Sequence, residues 1–374
     1  MATEERTLGV LLLSAARHQG AFAAVLARRP RVRLVAVADE ADLVPWVREA
    51  NRELAARWGL PYVEDVDAAL ARPDVDLVTI GSEYSRHGRL AIKALQAGKH
   101  VLLDKQPLGM TVEEGEAVLA AAREAATHGR KLSYIHHVVD PAVLRARRVI
   151  AGGEIGEPRA VYASALVTYG PGDDLDTSPT GRWGKGLHAK WWTEGELMHH
   201  GGYAIGCARY VMGSEVTSVY GVIGAHFNRL HRECKIDDLA TLSLGFANGG
   251  VGTLAIGRAP NRAHPGWADE FLHVVGTRGI VTADWEGPSF LLADSEAGSS
   301  RREMYGRADT TELAIDDFLA AVLEDREPLC GPDDGLAELR VLLAGYRSAR
   351  EGRAISLEAI GDRPSASNRG TDRR

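Results

Sequence analysis

The order of strand and helix signals predicts two domains of different class. The first is an α/β domain on a parallel, doubly wound sheet; the second is an α+β domain with a large open, mostly antiparallel sheet. Three observations carry this. Over residues 1–134, short apolar runs alternate with helix-like stretches, as in a parallel sheet with crossover helices. Beyond them, strand-like runs follow one another with no helix between. Two helical stretches, within 312–352, then close the chain.

LGVLLL (8–13) is a continuous apolar run, as a strand buried on both faces requires. GAFAAVLARR (20–29) reads as a helix, RLVAVAD (33–39) as a second strand ending in an acid, and 43–58 as a helix. DLVTIG (76–81) and HVLLD (100–104) are strands, separated by the helix RLAIKALQAG (89–98), which ends at a glycine. VEEGEAVLAAAREA (112–125) carries acids in its first turn, where the helix dipole favours them, and KLSYI (131–135) closes the series. The second domain, 135–361, contributes AVYASALVTY (160–169), VTSVYGVIGAHF (216–227), DLATLSLGFA (238–247), VGTLAIGR (251–258) and EFLHVVGT (270–277). FANGG (246–250) between two of these is a hairpin signal. Ile315, Phe318, Leu319, Val322 and Leu323 form one apolar helical stripe, and a second helix covers about 334–350. The polar tail, 362–374, is expected to be disordered.

At 374 residues the chain is too long for one ordinary core. Its composition, 45% hydrophobic and 25% charged, is that of a globular protein. A net charge of −7 argues against a nucleic-acid or anionic-membrane binder. No apolar run reaches the length of a membrane span, and MATEERT lacks the pattern of a secretory signal. Cys207, Cys234 and Cys330 show neither metal spacing nor an even disulfide framework, so a cytoplasmic location is expected.

The stretch LLLSAARHQG (11–20) stands where a dinucleotide-binding chain carries its glycine-rich turn. Such a turn brings the backbone against a pyrophosphate at a helix N-terminus. Counted back from Asp39, the three glycine slots fall on Ser14, Ala16 and Gln19, with Gly20 next door. On the loop alone, a nucleotide site and a Rossmann-like domain without cofactor are equally good readings. Asp39 shifts the balance. An acid ending the second strand accepts hydrogen bonds from ribose hydroxyls and repels a 2′-phosphate, so NAD is expected over NADP.

SEYSRHGRLAIKALQAGKHVLLDKQPLGMTVEEG (82–115) resembles the glucose–fructose oxidoreductase, inositol dehydrogenase and MocA family. The family's T-P-N-x-x-H segment appears as Ser82 to His87. Its A-G-K-H-V-L-x-E-K-P segment appears as Ala97 to Lys105, with Asp104 for Glu and an extra Gln106 before Pro107. AGGEIGEPRAV (151–161), DDLATLSLGFANGGVGTLAIG (237–257), HVVGTRGIVTADW (273–285) and residues 316–357 extend the likeness over nearly the whole chain. The family helix G-G-x-L-x-D-x-G-x-H-x-x-D reads here with His199 in the first Asp slot, Tyr203 in the His slot and Gly206 in the last Asp slot. The resemblance implies an oxidoreductase. It implies cofactor contacts from Ser14, Ala16, His18, Gln19, Asp39, Ser82, Glu83, His87, Asp104 and Lys105. It also implies a homodimer or homotetramer formed through the second domain's sheet.

Oxidising an alcohol with NAD removes a hydride from carbon and a proton from oxygen, so a base must stand at the hydroxyl. His199 and Tyr203 are one helical turn apart and share a face. Tyr203 is expected to accept the proton, its phenol lowered by a nearby Lys105 ammonium, which also orients the hydroxyl. His199 is a second candidate base, better by its ordinary pKa. Adjacent helix residues point about 100° apart, so His199 and His200 are not expected to share a metal ion. His200, His137 and Trp192, the last in the long polar loop 172–195, are expected at the substrate. Trp stacks on sugar rings and His binds hydroxyls. The function expected is hydride transfer between NAD and a hydroxyl or ketone of a sugar, sugar derivative or cyclitol. The rivals are a cofactor-free sugar-binding or regulatory relative, and an enzyme that holds NAD tightly and uses it transiently for glycoside cleavage or epimerisation. A metal-dependent lyase ranks below both.

Overall fold

The computed structural model describes residues 7–168, 195–259, 268–287, 289–295, 297–306 and 308–360. The expected strand Leu8–Leu13 (β1) is buried along its whole length and pairs in parallel on both sides, with Val32–Ala38 (β2) and Leu77–Ile80 (β4). Between them run the helices Gln19–Leu26 (α1), Pro45–Trp58 (α2) and Val66–Leu70 (α3), and the short strand Tyr62–Val63 (β3). Tyr84–Gln96 (α4), His100–Leu103 (β5), Val112–Ala126 (α5) and Leu132–Tyr134 (β6) complete the layer. The sheet has six strands in the order β3-β2-β1-β4-β5-β6, every pair parallel. The order reverses between β1 and β4. Loops leaving those two strands diverge there and open the crevice where doubly wound sheets bind ligands.

Pro141–Ala151 (α6), which the sequence pattern does not single out, is capped by the Asp140 carboxylate and leads into the second sheet. That sheet has nine strands: Pro158–Thr168 (β7), Val216–Gly224 (β8), Leu239–Phe246 (β9), Val251–Ala259 (β10), Ala268–Gly276 (β11), Gly279–Asp284 (β12), Ser289–Asp294 (β13), Ser299–Met304 (β14) and Ile355–Ser356 (β15). Its order is β14-β13-β12-β11-β7-β10-β9-β8-β15. All neighbours are antiparallel except β7 and β10, which pair in parallel. The β9–β10 hairpin turns at Asn248-Gly249, with Gly249 at positive φ. β12 lies within 273–285, read as part of the sheet through the resemblance, whereas β13 to β15 are not among the strands read from the sequence; β14, Ser-Ser-Arg-Arg-Glu-Met, has no apolar alternation to betray it.

Glu196–Met212 (α7) lies on one face of this sheet, over β7 and β10. The other face carries Tyr162, Tyr220, Val222, Val251 and Phe271, all exposed. His273, Tyr162, Thr253, Ser243 and Tyr220 form one continuous row across five strands. A short helix, Arg229–Cys234 (α8), follows β8. The last two helices, Thr310–Leu323 (α9) and Pro332–Glu351 (α10), bind the two sheets together. α9 packs on α1, where Arg29 donates to Asp316 and Glu312 at 2.6 Å each. α10 packs on α5, α7 and β8.

Candidate active site

The loop after β1 makes its sharp turn without glycine. Ser14 sits at φ +65°, the left-handed region that glycine normally supplies. Gly81, at the end of β4, permits this. A Cβ there would lie 2.9 Å from the Ser14 carbonyl and 3.0 Å from Gln19 Cβ. Gln19 turns inward, and its Nε2 donates to the Thr79 carbonyl and hydroxyl, both at 2.8 Å. It braces the loop from beneath instead of facing the crevice. Ala16 is buried, so the loop presents small side chains over the start of α1.

Asp39 ends β2, fully buried. Its carboxylate accepts from the Glu40 amide, from Asn51 Nδ2 at 2.9 Å and from Arg86 Nη1 at 2.6 Å. Arg86, in the first turn of α4, also reaches Ser14 Oγ at 3.2 Å and both oxygens of Glu83 at 2.6 Å. One guanidinium thus spans from the β1 loop to the β2 acid. Ser82 is buried against Glu83, whose backbone caps α4. His87 is buried behind them, 3.5 Å from the Pro107 carbonyl, and burial brings its pKa down to about 4.

The end of β5 supplies Asp104 and Lys105. Asp104 lies 2.9 Å from His18 Nδ1 and accepts from Arg17 Nε at 3.2 Å. Burial alone would raise its pKa; His18, Arg17 and Lys105 together hold it far below the usual carboxylate range. Arg17 then lies over the Tyr84 ring at 4.2 Å and donates to its hydroxyl at 2.9 Å, and that hydroxyl is 3.2 Å from His199 Nδ1. Lys105 is buried and donates to the His199 carbonyl at 2.8 Å, its Nζ standing 5.3 Å from the centre of the Tyr203 ring. Burial foremost, and Arg17 next, bring Lys105 down to about 7.

From the second domain, α7 brings His199, His200 and Tyr203 to this point. Its first turn is anchored by the Asp237 carboxylate, which accepts from the Leu197 amide at 2.8 Å and the Tyr346 hydroxyl at 2.9 Å. Glu196, fully buried, pairs with His200 Nδ1 at 2.8 Å, His231 Nε2 at 3.0 Å and Arg258 Nε at 2.7 Å. Tyr203 stacks on His137 with ring centres 3.8 Å apart and planes 5° from parallel. Burial, then the charge of Asp104, pushes the Tyr203 phenol well above 10. The lowering expected from a neighbouring cation is outweighed: Arg17 opposes the rise, but burial and the nearby acids exceed it. Burial foremost likewise holds His199 and His137 well below 6.5 and His200 at about 4, so all three imidazoles are neutral.

The structure thus brings Lys105, His199, His200, Tyr203 and His137 together, with Asp104, His18 and the β1 loop alongside. Trp192 and nearly all of the 172–195 loop lie outside the described residues. Sequence reading missed Arg17 and Tyr84, although both sit in stretches it had singled out. It also missed Arg86, Glu196, Glu270 and Glu338. A signal existed for the last two. Glu270 alternates with Ala268, Leu272 and Val274 on the buried side of β11, and Glu338 falls on the inward stripe of α10 with Gly335, Leu339 and Leu342.

Glu338 explains Gly206. A Cβ at 206 would lie 2.4 Å from both Glu338 Oε1 and His136 Nε2. The space of a side chain at this helix position is filled by an acid and an imidazole delivered from other elements. Tyr134 donates its hydroxyl to Glu338 at 3.0 Å, and burial raises that carboxyl well above its ordinary value. A cavity of about 910 Å³, lined by Met198, Ile223, Arg232, Lys235, Tyr346 and Arg350 among others, borders the Asp237 anchor of α7 but not Lys105, His137, His199, His200 or Tyr203.

Comparison with known proteins agrees with this geometry. Residues 15–133 match the model described as "Oxidoreductase family, NAD-binding Rossmann fold", and residues 147–357 match "Oxidoreductase family, C-terminal alpha/beta domain". The chain is 28% identical over 342 residues to a scyllo-inositol 2-dehydrogenase (NAD(+)) of Bacillus subtilis, covering 88% of this chain and 90% of that one. It is 26% identical over 353 residues to an inositol 2-dehydrogenase of Rhizobium meliloti, covering 92% and 98%. The crystal structure of an aldose–aldose oxidoreductase from Caulobacter crescentus superposes with a TM-score of 0.73 at 26% identity, over 94% of this chain and all of that one. With both halves matched in order and the strand-end lysine, loop and second-domain helix in place, the chain belongs to the Gfo/Idh/MocA oxidoreductase family.

Proposed function

We propose that this protein transfers a hydride between NAD and a secondary hydroxyl, or the matching ketone, of a sugar, sugar derivative or cyclitol. The observation that carries this reading is Lys105. It is a buried amine with a pKa of about 7 at the end of a parallel strand, facing a tyrosine and three neutral imidazoles from the other domain. The inositol dehydrogenases among the relatives support the substrate class. NAD, when bound, takes up the hydride.

The loop fits such a cofactor. Ser14 supplies the turn, a side chain at Gly20 in the first turn of α1 would meet nothing within 4 Å, and Asp39 follows β2. Asp39 is the residue to hold the ribose, with Arg86 withdrawing from it. Glu40 beside it adds a second acid that disfavours a 2′-phosphate, so NAD is preferred to NADP. Lys105, half deprotonated near pH 7, accepts the alcohol proton in place of Tyr203, whose phenol is too basic to be ionised. Tyr203 and His199 hold the hydroxyl in line, and His200 and His137 bind neighbouring hydroxyls, with Trp192 as a further substrate contact. Desolvation serves the chemistry, since it sets the amine's pKa close to the working pH.

Binding of NAD and NADP to the stripped protein, by calorimetry, tests the reading. Saturable NAD binding is expected, weakened about tenfold or more in Asp39→Ala, the scale of a lost hydrogen bond to a charged group. No binding of either nucleotide by folded protein would overturn it. One observation favours the cofactor-free alternative: Arg86 already fills the space between Ser14 and Asp39.

The exposed row of Tyr162, Tyr220 and their apolar neighbours is the surface by which two copies would pair into a homodimer or homotetramer. Tyr162→Glu with Tyr220→Glu is expected to yield a smaller species by light scattering, with the fold intact by circular dichroism. Among the described residues no helix is long and apolar enough to cross a membrane. The three cysteines are unpaired, which suits a cytoplasmic enzyme.

A further inference from the structure

Glu270 sits on β11 at an inward-facing position, essentially fully buried. Its Oε2 accepts from Trp285 Nε1 at 2.8 Å, while Oε1 has no hydrogen-bond partner among the described residues. Nδ1 of His137 stands 3.4 Å from Oε2 and likewise makes no hydrogen bond among the described residues. The His137 ring is held on its face by the Tyr203 stack and on its edge by Trp285, at 6.2 Å and 76°. Its position is fixed, so what remains variable is where its proton lies.

We propose that Glu270 and His137 form a proton-holding pair, in which ionisation of Glu270 decides which imidazole nitrogen carries the ring proton. His137 then meets a substrate oxygen either as donor or as acceptor. The functional half of this inference rests on the reading of the Lys105–Tyr203 cluster as the substrate site. With Glu270 protonated, its O–H donates to Nδ1 and the ring carries its proton on Nε2, a donor suited to a ketone oxygen. When the pair loses one proton, that proton departs from Nε2 and the Glu270 proton crosses to Nδ1. The carboxylate then accepts from Nδ1–H, and Nε2 becomes an acceptor suited to an alcohol.

The charged surroundings support a transition in the neutral-to-alkaline range. Burial first, then Glu286 in the turn after β12 and Asp140 at the start of α6, raise Glu270 to about 8; the Trp285 hydrogen bond and, less strongly, Lys105 oppose them. Burial, with His136 beside it, Lys105 from β5 and His200 from α7, holds His137 well below 6.5. The imidazole therefore stays neutral across the range, and a neutral ring must choose a tautomer.

The test is nitrogen-15 NMR of the histidine rings from pH 6 to about 9.5, a span set around the Glu and His values in play. It uses the wild type and Glu270→Gln, with His137→Gln to assign the signals. In the wild type, His137 is expected to pass from the Nε2–H to the Nδ1–H form with a midpoint near 8. In Glu270→Gln, whose amide cannot lose its proton in this range, one tautomer should persist throughout. A single His137 tautomer across the whole range in the wild type would overturn the proposal; so would an unchanged transition in the Gln variant. The wild-type titration decides the matter even if the variant folds poorly. Neither measurement needs substrate or cofactor, so its failure is distinct from a failure to bind NAD.

Discussion

Lys105→Met is expected to lower kcat for polyol oxidation by about 10²–10⁴-fold, the usual contribution of a positioned acid–base group, while NAD affinity stays within a few-fold. The argument is electrostatic. Lys105 is buried beside Arg17, and together these lower its pKa to about 7, with Asp104 and Glu196 opposing. Below that value the amine is protonated and cannot take the alcohol proton; above it the free base is available. The rate of oxidation should therefore rise with pH through about 7, and the rate of ketone reduction should fall over the same interval. Methionine fills the same volume without a proton site, so both limbs should flatten. Lys105→Arg should not rescue, because a guanidinium keeps its charge across this range. The check is a pH profile of NADH formation and consumption on whichever inositol or sugar the protein accepts. An unchanged acid limb in the methionine variant would move the base elsewhere, with His199 next in line.

The second large effect concerns Gly206. Placing aspartate there, as the family helix pattern would have it, should destabilise this protein by about 2–4 kcal/mol, the scale of overpacking joined to an unpaired buried charge. The side chain would arrive 2.4 Å from an acid and an imidazole that already fill the space. Gly206→Ala should cost less but still lower Tm by several degrees, since the alanine methyl meets the same two atoms. The informative variant is the double one. Gly206→Asp with Glu338→Ala removes the clash and returns one carboxyl to the position. It should recover much of the stability lost by Gly206→Asp, and the non-additivity measures the coupling. Thermal denaturation of the four species checks this; strict additivity would mean that Glu338 and residue 206 do not share a site.

Much of the frame was readable along the chain. Residues 8–13 are apolar without interruption because β1 is covered on both faces. The alternation in 238–247 and 251–258 is visible because β9 and β10 each turn one face to solvent. Asp39 and Lys105 were legible as strand-end residues for the same reason: in a parallel sheet, the chain position after a strand fixes the side of the sheet. The glycine-poor loop carries the weakest local signal. The left-handed backbone of Ser14 is a property of the packed loop, held by Gly81 beneath it and Arg86 across it, and no residue preference announces it.

What the sequence determined by itself was local or periodic: the two classes of domain, the positions of their main strands and helices, the strand-end acid and lysine, and the helix bearing His199 and Tyr203. What only the tertiary structure decided was which distant residues share a charge or a volume. Arg86 meets Asp39 across 47 residues, Tyr84 meets His199 across 115, and Tyr134 meets Glu338 across 204. The ionisation states follow from the same cause. A lysine near neutrality and an acid at about 8 are products of desolvation and of neighbours brought in by other elements. Desolvation exists only once the chain has closed around the group.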